Sequence, residues 1–164
     1  VLAQPAFVRA LLGLLRAEGV HTALETNGYA DAAVFRDVAG LADLLLFDVK
    51  HYDEEKHRQG TGVSNAPILR NLAWALSEGM EVLVRIPVIR GYNSSLEDAA
   101  GFAALLGGVG VERAQLLPFH QMGESKYPML GQRYRLDGVA PLHKEDLEDF
   151  REVMLIRGVR EVIL

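Results

Sequence analysis

The chain has 164 residues, a length that suits one domain with a sizeable core. Apolar residues make up 49% and charged residues 24%, which argues against a disordered, collagen-like or coiled-coil chain. Seventeen basic against twenty-two acidic residues leave a net charge of −5, which argues against a nucleic-acid coat. The absence of cysteine removes disulfides, thiolate zinc sites, a cysteine nucleophile and any iron–sulfur cluster held by this chain. No apolar run approaches the ~18 residues that span a bilayer. The start, Val1-Leu2-Ala3-Gln4-Pro5, has no basic n-region, so a cytoplasmic protein with no membrane partner is expected.

Pro5 opens a predicted helix whose apolar stripe is Phe7, Val8, Leu11, Leu12 and Leu15, and Gly19 ends it. Val20–Leu24 reads as a short strand leading to the turn Asn27-Gly28, and Asp31–Ala39 as a short helix. The continuous apolar run Leu44–Val49 predicts a strand buried on both faces. A short helix is expected around His51–His57, and a longer one from Ser64-Asn65-Ala66-Pro67 to Gly79. Val82–Val88 is the next strand. Ser94 to Glu97 and Ser95 to Asp98 both fit a capping box, opening a helix that Gly107 or Gly108 stops. Val111–Leu117 is a strand stopped by Pro118, and Gln121–Leu142 is polar, Gly-rich and without clear periodicity. A helix over His143–Arg157 and a closing strand over Val159–Leu164 complete the order.

Strands alternating with helices, without a hairpin signal, predict an α/β fold of parallel strands joined by right-handed crossovers. An open sheet and a whole or partial (β/α) barrel both satisfy the pattern. A βα series normally opens on a strand, whereas this one opens on a helix and on Val1. The expectation is a single domain over residues 1–164 that forms the later part of a longer α/β domain.

In parallel α/β folds the ligand site lies at the carboxyl ends of the strands. Those ends carry Glu25-Thr26-Asn27, Asp48-Val49-Lys50-His51, Arg85 and Pro118-Phe119-His120. Each residue alone has a structural explanation. Asp48 can cap a loop, Lys50 can be a solvated lysine, Arg85 can pair with Glu81, Glu25 can cap the turn, and His120 can be a hydrogen-bonded structural histidine. Convergence on one rim is what singles them out. His51, Asp53 and His57 lack the i, i+4 pair of a zinc helix and read as surface loop. Trp74, Tyr127 and Tyr134 read as packing aromatics, and the acidic run Glu145–Asp149 as a solvated helix start.

Five segments in order match one family: Leu24-Glu25-Thr26-Asn27-Gly28-Tyr29, Leu46-Phe47-Asp48-Val49-Lys50, Thr61-Gly62-Val63-Ser64-Asn65, Val84–Asn93 and Leu116–Tyr127. On these the chain resembles the glycyl-radical-enzyme activating enzymes, typified by pyruvate formate-lyase activating enzyme, of the radical S-adenosylmethionine (SAM) superfamily. The resemblance implies a partial (β/α)6 barrel in which a 4Fe-4S cluster reductively cleaves SAM. The 5′-deoxyadenosyl radical so formed takes a hydrogen atom from a backbone glycine of a glycyl radical enzyme, with flavodoxin or ferredoxin as electron donor. It also implies that Asp48, Val49, Lys50 and His120 contact SAM with Arg85 beside it. Glu25, Thr26, Asp48 and a backbone oxygen near Leu46 would surround a monovalent cation at the SAM carboxylate. The typical member has Asp where this chain has Glu25, which keeps the oxygen ligand and lengthens its reach; related activases carry Glu.

The family's three-cysteine motif and its Gly-Gly-Glu segment precede the matched region, and this chain has no cysteine. The expectation is therefore the C-terminal part of an activase, inactive alone. Two other functions remain open on the sequence: an aldolase-like barrel with Lys50 as Schiff-base nucleophile, and a non-catalytic binding module. The segment Gln121–Leu142 is a candidate contact for the partner's glycyl loop.

Overall fold

A computed structural model describes residues 1–164. Five strands form one sheet: β1 (Ala23–Thr26), β2 (Leu44–Asp48), β3 (Glu81–Val88), β4 (Arg113–Pro118) and β5 (Glu161–Ile163). Their spatial order is β1-β2-β3-β4-β5, and every neighbouring pair is parallel. The helices are α1 (Pro5–Ala17), α2 (Ala32–Ala39), α3 (Glu54–Thr61), α4 (Ala66–Ser77), α5 (Leu96–Val109), α6 (Lys126–Met129) and α7 (Glu148–Ile156). An order that never reverses, with right-handed crossovers, winds all helices onto one face of the sheet. Of the two architectures that the alternation allows, this is the partial barrel. No helix is long and apolar enough to cross a membrane.

Burial along the strands follows that sidedness. Leu24, Leu45, Phe47, Val84, Ile86, Val88, Ala114, Leu116 and Val162 are buried, and Glu25, Leu46, Asp48, Leu83, Arg85, Gln115, Leu117 and Ile163 between them are half-buried or exposed. β2 is thus covered on one face only, which corrects the expectation of burial on both. The core under the helices is one cluster of 28 buried residues. At its β1–β2 end Phe35 of α2 meets Phe47 edge-on at 6.0 Å and the partly buried Trp74 of α4 at 5.9 Å, the two fully buried phenylalanines contributing about 1.5–3 kcal/mol each by burial.

Several boundaries shift for local reasons. β1 begins at Ala23 rather than Val20 because the Val20 N–H closes α1 on Leu15 O. Thr22 N–H and Oγ1 then both donate to the Asp43 carboxylate, at 2.7 and 3.0 Å, before the ladder starts. α5 runs through Gly107 and Gly108 and stops at Gly110, whose φ of 82° is the left-handed terminus; Ser95 and Asp98 form its capping box. The predicted final helix is a 3-10 turn, Lys144–Leu147, followed by α7, and Gln121–Leu142 holds only the single turn α6.

The loop expected around His51 and His57 is a correction of substance, because both histidines are buried. His57 Nδ1–H donates to Val63 O at 2.8 Å, closing α3. His51 lies among the rings of Tyr52, Tyr92 and Phe102 at 4.7, 5.1 and 5.9 Å. Its Nδ1 accepts the Asp53 N–H at 3.0 Å, so the neutral ring carries its proton on Nε2. That atom has no hydrogen-bond partner and lies 3.9 Å from Asp98 Oδ1. Burial, partly offset by Asp98, holds His51 below the ordinary histidine range.

The unfolded chain therefore takes up this proton first as the pH falls through about 6.5, and stability present above that pH is lost below it. Thermal melts between pH 7.5 and 5 are expected to show this loss, with a shallower slope in His51→Gln. An unchanged slope would assign the acid sensitivity to another group.

Candidate functional site

Register brings the strand-end residues together. Glu25 is opposite Leu46, and Asp48, Arg85, Gln115 and Ile163 form one row across β2, β3, β4 and β5. All lie on the face that the helices leave uncovered. Arg85 is its centre, with a side chain only 12% exposed. Its Nε and Nη2 donate to Asp48 Oδ1 at 3.0 and 2.8 Å. Its Nη2 and Nη1 reach Glu25 Oε1 and Oε2 at 2.6 and 3.2 Å. Lys50 Nζ donates to the other Asp48 oxygen, Oδ2, at 3.4 Å. Glu81 is not the partner of Arg85: it pairs with Arg113 at 3.5 Å, at the opposite end of the strands.

Two carboxylates and two cations thus compensate each other on a half-buried rim. The Arg85 hydrogen bond holds Glu25 below the usual carboxylate range against its slight desolvation. Burial works against the Arg85 charge, yet the bonds to Glu25 and Asp48 outweigh it and raise the guanidinium further. Arg85 binds both carboxylates and so behaves as a clamp between β1 and β2. Lys50, 38% exposed and sharing only Asp48, keeps donors free for an incoming anion.

The other singled-out residues lie nearby with different surroundings. The Val49 side chain is in the core, and its N–H extends the ladder to Arg85 O at 2.9 Å, leaving its carbonyl as the polar group. Thr26 is buried, and its Oγ1 accepts the Gly28 N–H at 3.0 Å, so its hydroxyl is engaged in the turn. His120, exposed just past β4, accepts the Met122 N–H on Nδ1 at 3.4 Å and is not bonded to the Arg85 cluster. Phe119 beside it is tied on both sides, its N–H to Val88 O and its carbonyl to Leu142 N–H. Tyr127 and Tyr134 pack together at 4.9 Å within the 121–142 segment. Trp74 is a core-edge ring, as expected from packing.

Sequence reasoning passed over Gln115 and three buried asparagines. Asn71 Nδ2 donates to Gly28 O and Ala30 O at 2.8 and 3.0 Å, and Asn65 Nδ2 to His51 O and Tyr52 O at 3.1 Å each. Asn93 is the third. Each fastens a loop that follows a strand on the site rim. Asn65 and Asn93 read as turn formers and Asn71 as a polar position within α4, so no local pattern gave a signal of burial.

A site built this way suits a ligand carboxylate at Lys50, while the Asp48 and Glu25 oxygens are already engaged by Arg85 and Lys50. A free metal ion fits less well as the groups stand, because the Arg85 guanidinium already bridges the two carboxylates. No group of three or more His, Cys, Asp or Glu side chains converges as metal ligands.

Comparison with known proteins places this geometry in context. Residues 1–103 match the family model of the radical SAM superfamily. The chain is 40% identical over 152 residues to the choline trimethylamine-lyase activating enzyme of Oleidesulfovibrio alaskensis, covering 90% of this chain and 49% of that protein. It is 32% identical over 160 residues to the 4-hydroxyphenylacetate decarboxylase activating enzyme of Clostridioides difficile, covering 96% of this chain and 51% of that one. The chain therefore spans about half the length of these curated relatives.

Among solved structures, a domain of pyruvate-formate lyase-activating enzyme from Bacteroides vulgatus shares the fold, with a TM-score of 0.79 and 23% identity. That likeness covers 99% of this chain and 92% of that domain. With a one-sided parallel sheet, charged strand ends on its open face and a family match over most of its length, this chain belongs to the radical SAM superfamily.

Proposed function

We propose that the chain is the SAM-carboxylate half of a glycyl-radical-enzyme activating enzyme. The observation that carries this is the Asp48–Lys50–Arg85 arrangement at adjacent strand ends, with Lys50 donors free at the open face. The named relatives, all activating enzymes, support it. When bound, SAM and a 4Fe-4S cluster supply the one-electron chemistry of such enzymes. The cluster's cysteine ligands have no counterpart among these residues, so nothing in this chain is assigned to it.

This chain's own work is binding and orientation. Lys50 meets the SAM carboxylate. Asp48, its Oδ1 held by Arg85, holds the Lys50 ammonium through Oδ2. The Val49 carbonyl and His120 would hold the remainder of SAM, with His120 donating to or stacking near its adenosine. A monovalent cation at Glu25, Thr26, Asp48 and the Leu46 carbonyl would require Arg85 to withdraw from one carboxylate on SAM binding. The protein substrate is a glycyl radical enzyme, approaching over the 121–142 segment, and the electron comes from a flavodoxin or ferredoxin. The Schiff-base alternative asks for a desolvated Lys50, whereas this ammonium is half-exposed and ion-paired.

The test uses the complete reading frame, purified without oxygen and reconstituted with iron and sulfide. With dithionite and SAM it is expected to form 5′-deoxyadenosine. Lys50→Ala is expected to weaken SAM binding about 10- to 150-fold, the equivalent of one charge-assisted contact of about 1.5–3 kcal/mol. Unchanged affinity in Lys50→Ala removes the carboxylate assignment.

A further inference from the structure

The peptide that carries Lys50 lies beyond the end of the sheet. β2 stops at Asp48, the Val49 N–H makes the last ladder bond, and Lys50 belongs to no helix or strand. Its backbone is held instead by one side chain from a different loop. Asn93, fully buried, donates from Nδ2 to Lys50 O at 2.9 Å and to Pro87 O at 2.8 Å. Its Oδ1 accepts the Ile89 N–H at 2.8 Å. Both amide protons and one acceptor site are thus spent on main chain, two of the three bonds at the end of β3 and the third on Lys50. The next two carbonyls along, of His51 and Tyr52, are fastened by Asn65.

A lysine side chain has four flexible torsions, so the place from which it starts determines how much of its reach is useful. Beyond the Val49 N–H bond to Arg85 O, the Lys50 carbonyl ties that starting point, through Asn93, to the end of β3, the strand that also carries Arg85. We propose that Asn93 is a positioning residue for Lys50, setting the peptide from which the ammonium reaches the SAM carboxylate. This rests on the assignment of Lys50 made above.

A double-mutant cycle on the complete, cluster-reconstituted protein tests it, with SAM dissociation constants measured by equilibrium dialysis and folding checked by thermal melting. Asn93→Ala is expected to weaken SAM binding on the order of tenfold. In a Lys50→Ala background the same change is expected to weaken it by less than about twofold, because the residue through which it acts is gone. A purely structural asparagine lowers affinity by the same factor in both backgrounds, and that result overturns the proposal. If Asn93→Ala does not fold, Asn93→Ser, which keeps one donor and less of the cavity, carries the same cycle. Should Lys50→Ala leave SAM affinity untouched, the Lys50 assignment and this inference fall together. Should Lys50→Ala weaken binding while the Asn93 factor stays independent of it, only the inference falls.

Discussion

Gly28→Ala is expected to destabilise the fold by about 3 kcal/mol, read as a shift in the urea midpoint with little change in slope. Gly28 has a φ of 66°, and a Cβ placed there overlaps the ring of Phe47. The left-handed backbone costs an alanine about 1–2 kcal/mol, and displacing a fully buried aromatic adds about 1–3 kcal/mol. Phe47 cannot yield easily, because it is fully buried and packs edge-on against Phe35. The backbone cannot yield either without releasing Asn71 from the Gly28 carbonyl. A larger residue such as Val should do more damage. A midpoint within experimental error of the parent would show that the loop after β1 relaxes freely.

Arg85→Met is the second large effect, and it strikes stability and ligand binding together. It keeps the length of the side chain's stem and deletes the guanidinium, leaving Asp48, 18% exposed, with only Lys50 at 3.4 Å. Removing one partner of a fully buried pair costs about 3–5 kcal/mol, and partial solvation of this one lowers the expectation to about 2 kcal/mol. Glu25 adds little to that figure because it is largely exposed. Adding Asp48→Asn to Arg85→Met should recover part of the stability, since the orphaned charge is then absent. SAM affinity should fall in both variants: Arg85→Met frees the Asp48 carboxylate that orients Lys50 from its anchor, and the double variant removes that charge altogether. Recovery of stability without recovery of affinity would separate the two roles of Asp48. A double variant as unstable as Arg85→Met alone would place the cost in packing rather than in charge.

Much of the fold was legible because parallel βα units repeat the same signals: an apolar strand, a glycine or asparagine turn, then an amphipathic helix. The strand ends stood out for the same reason, since Glu25, Asp48, Lys50 and Arg85 each interrupt an apolar run. The two faces of β2 were not legible. Leu44 and Leu46 on the open face are as apolar as Leu45 and Phe47 on the covered one, so period two is invisible in Leu44–Val49.

The partner of Arg85 was also hidden. Glu81 is four residues away in sequence, but four residues of extended strand separate them by about 13 Å. Asp48, 37 residues distant, is directly opposite in register. The burial of His51 and Asn93 depends on groups distant in sequence, the rings of Tyr92 and Phe102 and the carbonyls of Lys50 and Pro87, and no local pattern encodes that.

The sheet order of consecutive neighbours also grades the rim kinetically. β3 is flanked on both sides and is the longest strand, whereas β1 pairs with β2 alone. Amide exchange with deuterium should therefore be slowest along the strand that holds Arg85 and faster at both edges, β5 and the β1 that holds Glu25. As the β1 edge frays, the outer carboxylate leaves the guanidinium before the inner one does. One side of the rim is then a fixed anchor, and the other is free to adjust to what arrives.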